Sequence, residues 1–525
     1  MNTPGKTDRT DAPDVPGPAP NRAQQIPAQL TGSGQVTASV YETARVVSLM
    51  PELEGHAERI TYLLETQQPE GHWGPRHAGY ALVPTLSATE ALLTVRQHRP
   101  GDTRIMAAAR AALRRLARLT VGELPDLPAA DLIVGALVPR IERQLDDQDA
   151  VGPELRRLPA HLHDLIHRGG NRLATLTAQL ANGAQLEGKL LHAAETLGEA
   201  LRPDRVQPSA EGSIGASPAA TAAWLAAGGS GSGGAAARHY LDRIVQENGA
   251  ALPCAFPVTV LERAWALNWL LQAGVAVSVT EDVRRSLRSA LGREGAATSP
   301  GLPADADTTS MVLATLTLLG EPRAPAPLLP YELSTHFCTW PGEQGRSVTT
   351  NAHVLEALGL YVRARPAETR RHAAAIRKVS SWLGDQQRAC GSWEDRWHAS
   401  PYYATFCATT ALHRFGGPGT GKTAAKAMRW LLDTQHGDGS WGIWGGTQEE
   451  TAYAVLVLTG LPDAEGPGHR EAVRRAQTYL AQPAHHGEHP PLWHDKDLYA
   501  PTVVVEAALL AARHTLRRFA HTGER

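Results

Sequence analysis

From residue 60 onward the chain is a succession of long Ala/Leu-rich segments separated by short Gly/Pro breaks. Apolar residues in these segments recur at the three- and four-residue spacing of one helix face. Few stretches alternate polar and apolar side chains as strands do. The pattern predicts an all-α protein. Three weakly similar units punctuate it: Gln68-Pro69-Glu70-Gly71-His72-Trp73-Gly74, Gln387-Arg388-Ala389-Cys390-Gly391-Ser392-Trp393 and Gln435-His436-Gly437-Asp438-Gly439-Ser440-Trp441-Gly442. Each follows a predicted helix and precedes another. A Gly turn, a Trp filling the gap between helices and a Gln able to cap a helix end make a helix–helix joint.

A chain of 525 residues has room for two or three such helical domains. Its net charge of −2 gives no basic excess for nucleic acid. No apolar run reaches transmembrane length and the N-terminus lacks a signal-peptide core, so no membrane insertion is expected. The four cysteines, Cys254, Cys338, Cys390 and Cys407, are too scattered for a disulfide framework or a zinc site, and a reducing cytoplasm fits them. Residues 1–35 are rich in Pro, Gly, Ala, Asn and Gln without periodicity and read as a disordered tail. A helix opens near Val36. The run Asp146-Asp147-Gln148-Asp149 reads as a solvated surface. Gly228-Gly229-Ser230-Gly231-Ser232-Gly233-Gly234 reads as a flexible loop shortly before a domain boundary near 250.

The chemistry concentrates in Leu302-Pro303-Ala304-Asp305-Ala306-Asp307-Thr308-Thr309-Ser310. Two carboxylates stand two residues apart, behind a proline, where an apolar helical run begins. One reading is an N-cap, in which Asp and Thr side chains satisfy free N–H groups. The other is a general acid, because adjacent carboxylates do not both ionise easily and one keeps its proton. A competing motif is Gly416-Gly417-Pro418-Gly419-Thr420-Gly421-Lys422-Thr423, which has P-loop spacing. A P-loop needs a strand before it, and Tyr402 to Phe415 reads as a helix. We read a helix–helix loop, with a P-loop ATPase as the runner-up class and a non-catalytic barrel that only binds partners as a third.

Asp305-Ala306-Asp307-Thr308-Thr309 resembles the Asp-x-Asp-Asp-Thr motif of class II terpene cyclases. Thr308 stands where the last Asp is usual, a form similar to bacterial sesquiterpene cyclases of the drimenyl diphosphate synthase type. Further blocks carry the resemblance discontinuously from about 39 to 510: Ser39 to Ala44 (with Arg45 where a Trp is usual), Glu211 to Ala223, Phe256 to Trp265, His336 to Trp340, Ser347 to Leu358, Trp393 to Tyr403 and Leu492 to Pro501. The resemblance implies two α/α-barrel domains. A first helix (36–56) would join residues 251–525 as the catalytic barrel, with 57–250 inserted.

The resemblance makes Asp307 the acid that protonates an isoprenoid double bond and Asp305 its hydrogen-bonding partner. Thr308 either tunes acidity or caps the helix. Asn351 either positions a water that takes the final proton or bonds a loop. Trp265, Trp340, Trp393, Tyr402 and Tyr499 either turn ring faces to a carbocation or pack the core. Lys496, and more weakly Arg396, either meet a substrate diphosphate or lie on the surface. Mg2+ would screen that diphosphate, with no ligand set legible. The Lys-Asp-Leu-Tyr block argues against squalene-type substrates. The absence of an Asp-Asp-x-x-Asp motif implies that the diphosphate survives. The expected reaction is cyclisation of farnesyl diphosphate to a bicyclic drimane-type diphosphate. The nearest alternative is a diterpene cyclase making a copalyl-type diphosphate from geranylgeranyl diphosphate.

Overall fold

A computed structural model describes residues 26–522 except 28, 76, 120–125, 147–154, 156, 169–170, 344, 462–466 and 483–488. It is helical almost throughout. Among the described residues the only ladder is a two-residue antiparallel pair, Trp493–His494 with Leu498–Tyr499.

Six helices form a closed ring in the C-terminal half: Thr259–Ala273, Ala306–Leu318, Val348–Ala364, Pro401–Phe415, Gln448–Gly460 and Thr502–Thr522, each touching the next and the last touching the first. The ring forms because these helices are apolar nearly all round. In Val348–Ala364 every side chain from Val348 through Tyr361 is buried. The helices between them are amphipathic and pack outside. Thr369–Asp385 buries only Val379, Ser380, Trp382 and Leu383. Inner and outer helices alternate along the chain, so the inner ones start at one common end. Polar caps mark it: Asp305, Ser347, Ser400 and Thr447 each accept a backbone N–H of the helix they precede.

The three Gly–Trp joints have one construction. The indole N–H of Trp73, Trp393 and Trp441 donates to Leu63, Leu383 and Leu431 O, each at 2.8 Å. Gln67, Gln387 and Gln435 each span two carbonyls with their side-chain amide. In the first unit the working glutamine is therefore Gln67, one residue before the one the pattern indicated. Gly71, Gly391 and Gly439 have φ of 93°, 107° and 91°, and a Cβ on each would stand 2.4–2.6 Å from a carbonyl oxygen of the facing helix. A fourth joint has the same turn at Gly212 but carries Ile214, whose N–H bonds Thr221 Oγ1, where the others carry Trp. Without its Trp and Gln it does not fit the Gly–Trp pattern of the other three.

A second ring closes in the N-terminal half from Val40–Leu49, Ala78–His98, Ala130–Asp146, the 3-10 turns of Gly188–Ala200 and Pro218–Ala226. This corrects one boundary. The first helix completes this ring, with Tyr41, Ala44 and Val47 in its core, rather than joining the C-terminal ring. The tail reading is corrected for its last residues: Ile26 and Leu30 are buried in the C-terminal core. Residues 1–25 lie outside the described residues, as do Asp147 and Asp149. The Gly228–Gly234 segment is not a long loop, because the helix Gly231–Asn248 begins inside it. The Gly-rich stretch 416–420 joins two helices, Pro401–Phe415 and Gly421–Thr434, with Lys422 exposed. No strand precedes it, which removes the P-loop reading.

The Gly439 joint yields a direct test. Gly439→Ala is expected to lose about 1–3 kcal/mol of stability from backbone strain alone, and more from the clash with Arg475 O. Gly437→Ala, where a Cβ meets open space, should be near neutral. Denaturant unfolding of the two variants measures the difference.

Candidate active site

Asp305 and Asp307 take different places at the start of Ala306–Leu318. Asp305 is the N-cap, and its Oδ1 accepts the Thr308 N–H at 2.6 Å. Burial pushes the Asp305 carboxyl up to about 7. The Thr308 N–H opposes the rise and the Asp307 charge adds to it. Thr308 is buried, its hydroxyl sharing a hydrogen bond with Thr298 Oγ1 at 2.9 Å. No hydrogen bond joins the two aspartate side chains among the described residues; the Asp307 backbone N–H is what faces the Asp305 carboxyl. Asp307 is instead bonded to His353 Nδ1 at 2.6 Å, with the Asp307 side chain 15% exposed and that of His353 3% exposed. Burial alone would lower the His353 pKa. The Asp307 carboxylate, helped by Cys407, reverses this and holds the imidazole well above the usual histidine range. The partner of the expected acid is thus a histidine from the next helix of the ring.

Rings line the space beside this pair. Trp265 meets His353 edge-on at 5.6 Å and donates its indole N–H to Tyr403 OH at 3.0 Å. Tyr403 packs on Trp493 at 4.9 Å and Tyr453 at 5.2 Å, and Trp269 and Phe406 extend the cluster. Tyr499 stands 6.4 Å from Trp493, buried and within the field of Asp307. Of the five expected rings, Trp265 and Tyr499 belong here. Trp393 is a joint Trp, fully buried and facing an outer helix. Tyr402 lies on Trp430 of the outer helix Gly421–Thr434, at 4.7 Å. Its neighbour Tyr403 faces the cluster. Trp340 sits apart, edge-on to Trp397 at 5.4 Å.

The polar candidates are also corrected. Asn351 accepts Phe337 N–H and donates to Phe337 O and Ser347 O, all within 2.9 Å. Both of its N–H groups are used on a loop, which is the second of its two readings. Arg396 pairs with Glu343 and reaches Asp126 of the other ring at 3.3 Å. Lys496 is fully buried. Its ammonium pairs with Glu42 and donates to Ser217 Oγ and His192 O at 2.8 Å and Glu195 at 3.1 Å. Four acceptors surround three N–H groups, so no donor remains for a diphosphate. The carboxylates of Glu195 and Glu42 hold Lys496 protonated against burial. Burial outweighs the ammonium at Glu42 and brings that carboxyl up to about 7.

The neighbours of Lys496 serve the same junction. Asp495 bonds His192 Nε2 at 2.9 Å, while His192 Nδ1 bonds Gly215 O at 2.7 Å. With an acceptor at each nitrogen, His192 is an imidazolium, and the Asp495 charge raises its pKa against burial. Asp497 accepts Ser39 Oγ and Tyr41 N at the start of the first helix. The Lys-Asp-Leu-Tyr block is therefore a seam between the two rings.

A cavity of ≈ 270 Å³ lies at the other end of the C-terminal ring. It is lined by Glu356, His413, Arg414 and Leu461, and reaches in to His353 and Cys407 without including Asp307. The hollow meets the Asp307–His353 pair only from the His353 side. Among the described residues no three His, Cys, Asp or Glu side chains converge as a metal-ion site. Among the same residues no helix is long and apolar enough to cross a membrane.

Residues 345–501 match the squalene-hopene cyclase C-terminal domain. The chain is 40% identical over 491 residues to an ent-copalyl diphosphate synthase of Streptomyces sp. (strain KO-3988), covering 93% of this chain and 94% of that one. It is 38% identical to a labda-7,13-dienyl diphosphate synthase of Streptomyces clavuligerus, covering 97% and 95%. The solved ent-copalyl diphosphate synthase from Streptomyces platensis superposes with a TM-score of 0.87 at 37% identity, covering 94% and 98%.

This chain is a class II terpene cyclase.

A more distant solved structure, the ent-copalyl diphosphate synthase of Arabidopsis thaliana in complex with (S)-15-aza-14,15-dihydrogeranylgeranyl thiolodiphosphate, shares the fold at 16% identity and a TM-score of 0.61, covering 93% of this chain and 62% of that one. The names of the Streptomyces relatives overturn the expectation of a farnesyl diphosphate cyclase making a drimane. The physical reason lies at Thr308. It is a buried residue of the helix start, bonded to Thr298, and its identity carries no measure of substrate length. Two features of this cyclase escaped sequence reading. His353 stood inside the recognised Ser347–Leu358 block without a role. Tyr403 stood beside the residue chosen.

Removing the seam tests the placement of Lys496. Lys496→Met leaves Glu42 and Glu195 buried without their cation and is expected to destabilise the cyclase by about 3–5 kcal/mol. Chemical unfolding reads this. A normally stable variant with only a raised KM would return Lys496 to the substrate.

Proposed function

We propose that this cyclase converts geranylgeranyl diphosphate to a bicyclic copalyl-type diphosphate, with Asp307 as the proton donor and the diphosphate retained. The observation that carries the reading is the Asp307–His353 pair, a partly exposed carboxyl bonded to a buried imidazole beside a cluster of rings. The names and coverage of the Streptomyces relatives support the twenty-carbon substrate.

Protonating an unactivated alkene makes a carbocation from neutral carbon, so the acid must be strong and shielded from water. His353 donates to one Asp307 oxygen, and the other oxygen carries the transferable proton. When that proton forms a C–H bond at the terminal alkene, the carboxylate left behind keeps a charge-assisted hydrogen bond. Stabilising the conjugate base strengthens the acid. The tertiary cation is attacked by the next two double bonds in turn, closing two rings. Loss of a proton from the bicyclic cation restores an alkene. Product and substrate have the same formula. Asp305 serves the step by fixing the helix start that carries Asp307, and Trp265, Tyr403 and Tyr499 offer ring faces to the cation.

Asp307→Asn is expected to abolish turnover in a folded protein, since an amide has no transferable proton. His353→Asn, which keeps a hydrogen bond but no charge, should lower kcat by about 10²-fold or more. The kcat/KM ratio for geranylgeranyl over farnesyl diphosphate is expected to exceed ten, about 1.4 kcal/mol in transition-state binding. A preference for farnesyl diphosphate would sink the chain-length assignment. Normal turnover by Asp307→Asn would sink the acid.

A further inference from the structure

The helix Gln448–Gly460 begins with two buried carboxylates in different surroundings. Glu450 is satisfied by Ser400 Oγ, Thr447 Oγ1 and Ile443 N. Glu449, fully buried, takes three bonds on one oxygen: Tyr453 OH and Trp493 Nε1 at 2.9 Å and His398 Nε2 at 3.2 Å. Its other oxygen, Oε2, has no hydrogen-bond partner among the described residues.

These bonds define the charges. His398 Nδ1 accepts the Ser400 N–H at 3.0 Å, so that nitrogen has no proton and the ring is a neutral Nε2–H donor. Tyr453 and Trp493 are neutral donors as well. A protonated Glu449 would have to place its hydrogen on Oε2, where no acceptor stands, so the carboxylate form is the one this site satisfies. The first turn of a helix favours that charge. Among the described residues no Lys or Arg pairs with it. A buried charge without a counter-ion is costly, and the fold has placed it behind the rings that surround the reaction. Trp493 packs on Tyr403 and Tyr499, Tyr453 packs on Tyr403, and Tyr499 lies within the fields of both Asp307 and Glu449.

We propose that Glu449 is a positioning residue for the cationic stage of the reaction, its carboxylate serving as the fixed counter-charge behind the Trp493–Tyr453–Tyr403 wall. It acts in two ways. Its field attracts positive charge developing in front of the rings at low effective dielectric. By accepting the indole N–H and phenol O–H, it also pushes electron density into Trp493 and Tyr453, making the ring faces toward the substrate more negative. Neutral substrate gains little from either effect, and the cations formed after protonation gain from both. The selectivity favours the transition state over the ground state. The proposal rests on the reading of the chain as a protonation-initiated cyclase.

Glu449→Gln is the informative variant. Its amide oxygen keeps the three donors, and its NH2 takes the position of the unbonded Oε2, so shape is retained and charge removed. The probes are (S)-15-aza-14,15-dihydrogeranylgeranyl thiolodiphosphate, whose chain carries an ammonium, and geranylgeranyl thiolodiphosphate, whose chain is neutral. The variant is expected to bind the aza compound at least tenfold more weakly and the neutral compound within twofold of wild type. Its kcat should fall with KM unchanged. Equal weakening of both probes, or no weakening of either, overturns the proposal, because a merely structural role does not distinguish them. If the variant does not fold, Trp493→Phe keeps the ring and removes one polarised N–H. It should lower the ratio of the two affinities at least threefold, and an unchanged ratio is equally fatal. Wild-type turnover tests substrate length separately. If fifteen-carbon chains are preferred, the ratio is read on the fifteen-carbon pair, so the two readings fail independently.

Discussion

One ammonium group holds the two helical rings together. Lys496 comes from the hairpin that closes the C-terminal ring, while Glu42, Glu195, Ser217 and His192 O, which surround it, all come from the N-terminal ring. The ammonium and its Glu42 partner are fully buried, so the geometry of the seam is fixed by charge as well as by shape. Asp495 with His192 and Asp497 with the start of the first helix extend it on either side. The same hairpin carries Trp493 and Tyr499 into the ring cluster. The seam that joins the two helical rings therefore also positions part of the aromatic cluster.

Helix starts place the carboxylates. Because the six inner helices begin at one end, short polar and acidic residues that cap them gather there. Asp305, Asp307, Glu449 and Glu450 are all products of this arrangement. Most of them satisfy backbone or side-chain donors. Asp307 and Glu449 each also meet an imidazole, and of the two it is Asp307 whose side chain remains partly open.

Much of the fold was legible because it rests on local chemistry. Helical spacing announced the all-α architecture, and the Gly–Trp units announced the joints because each is built within a few residues. The fourth joint was invisible because Ile214 stands in the Trp position. The site was legible only in part. Asp305, Asp307, Trp265 and Tyr499 were singled out from their blocks, and the fold brings Asp307, Trp265 and Tyr499 to one ring cluster. His353 lies 46 residues from Asp307 and was bound to it only by folding. Lys496 failed for the same reason in reverse. Its partners lie 279 to 454 residues earlier, and a lysine whose neighbours are unknown looks available. Tyr402 and Tyr403 show the sharpest limit, since adjacent residues on a helix turn to opposite layers and sequence alone does not say which way the ring faces.

The central claim is that a proton carried by Asp307, rather than departure of the diphosphate, starts the reaction. It is tested most directly by turnover in D2O, with mass analysis of the dephosphorylated product and assay of released pyrophosphate. The account requires one solvent deuterium on the former CH carbon of the distal alkene, and no pyrophosphate released in step with product. A product without solvent deuterium, or stoichiometric pyrophosphate, would contradict it.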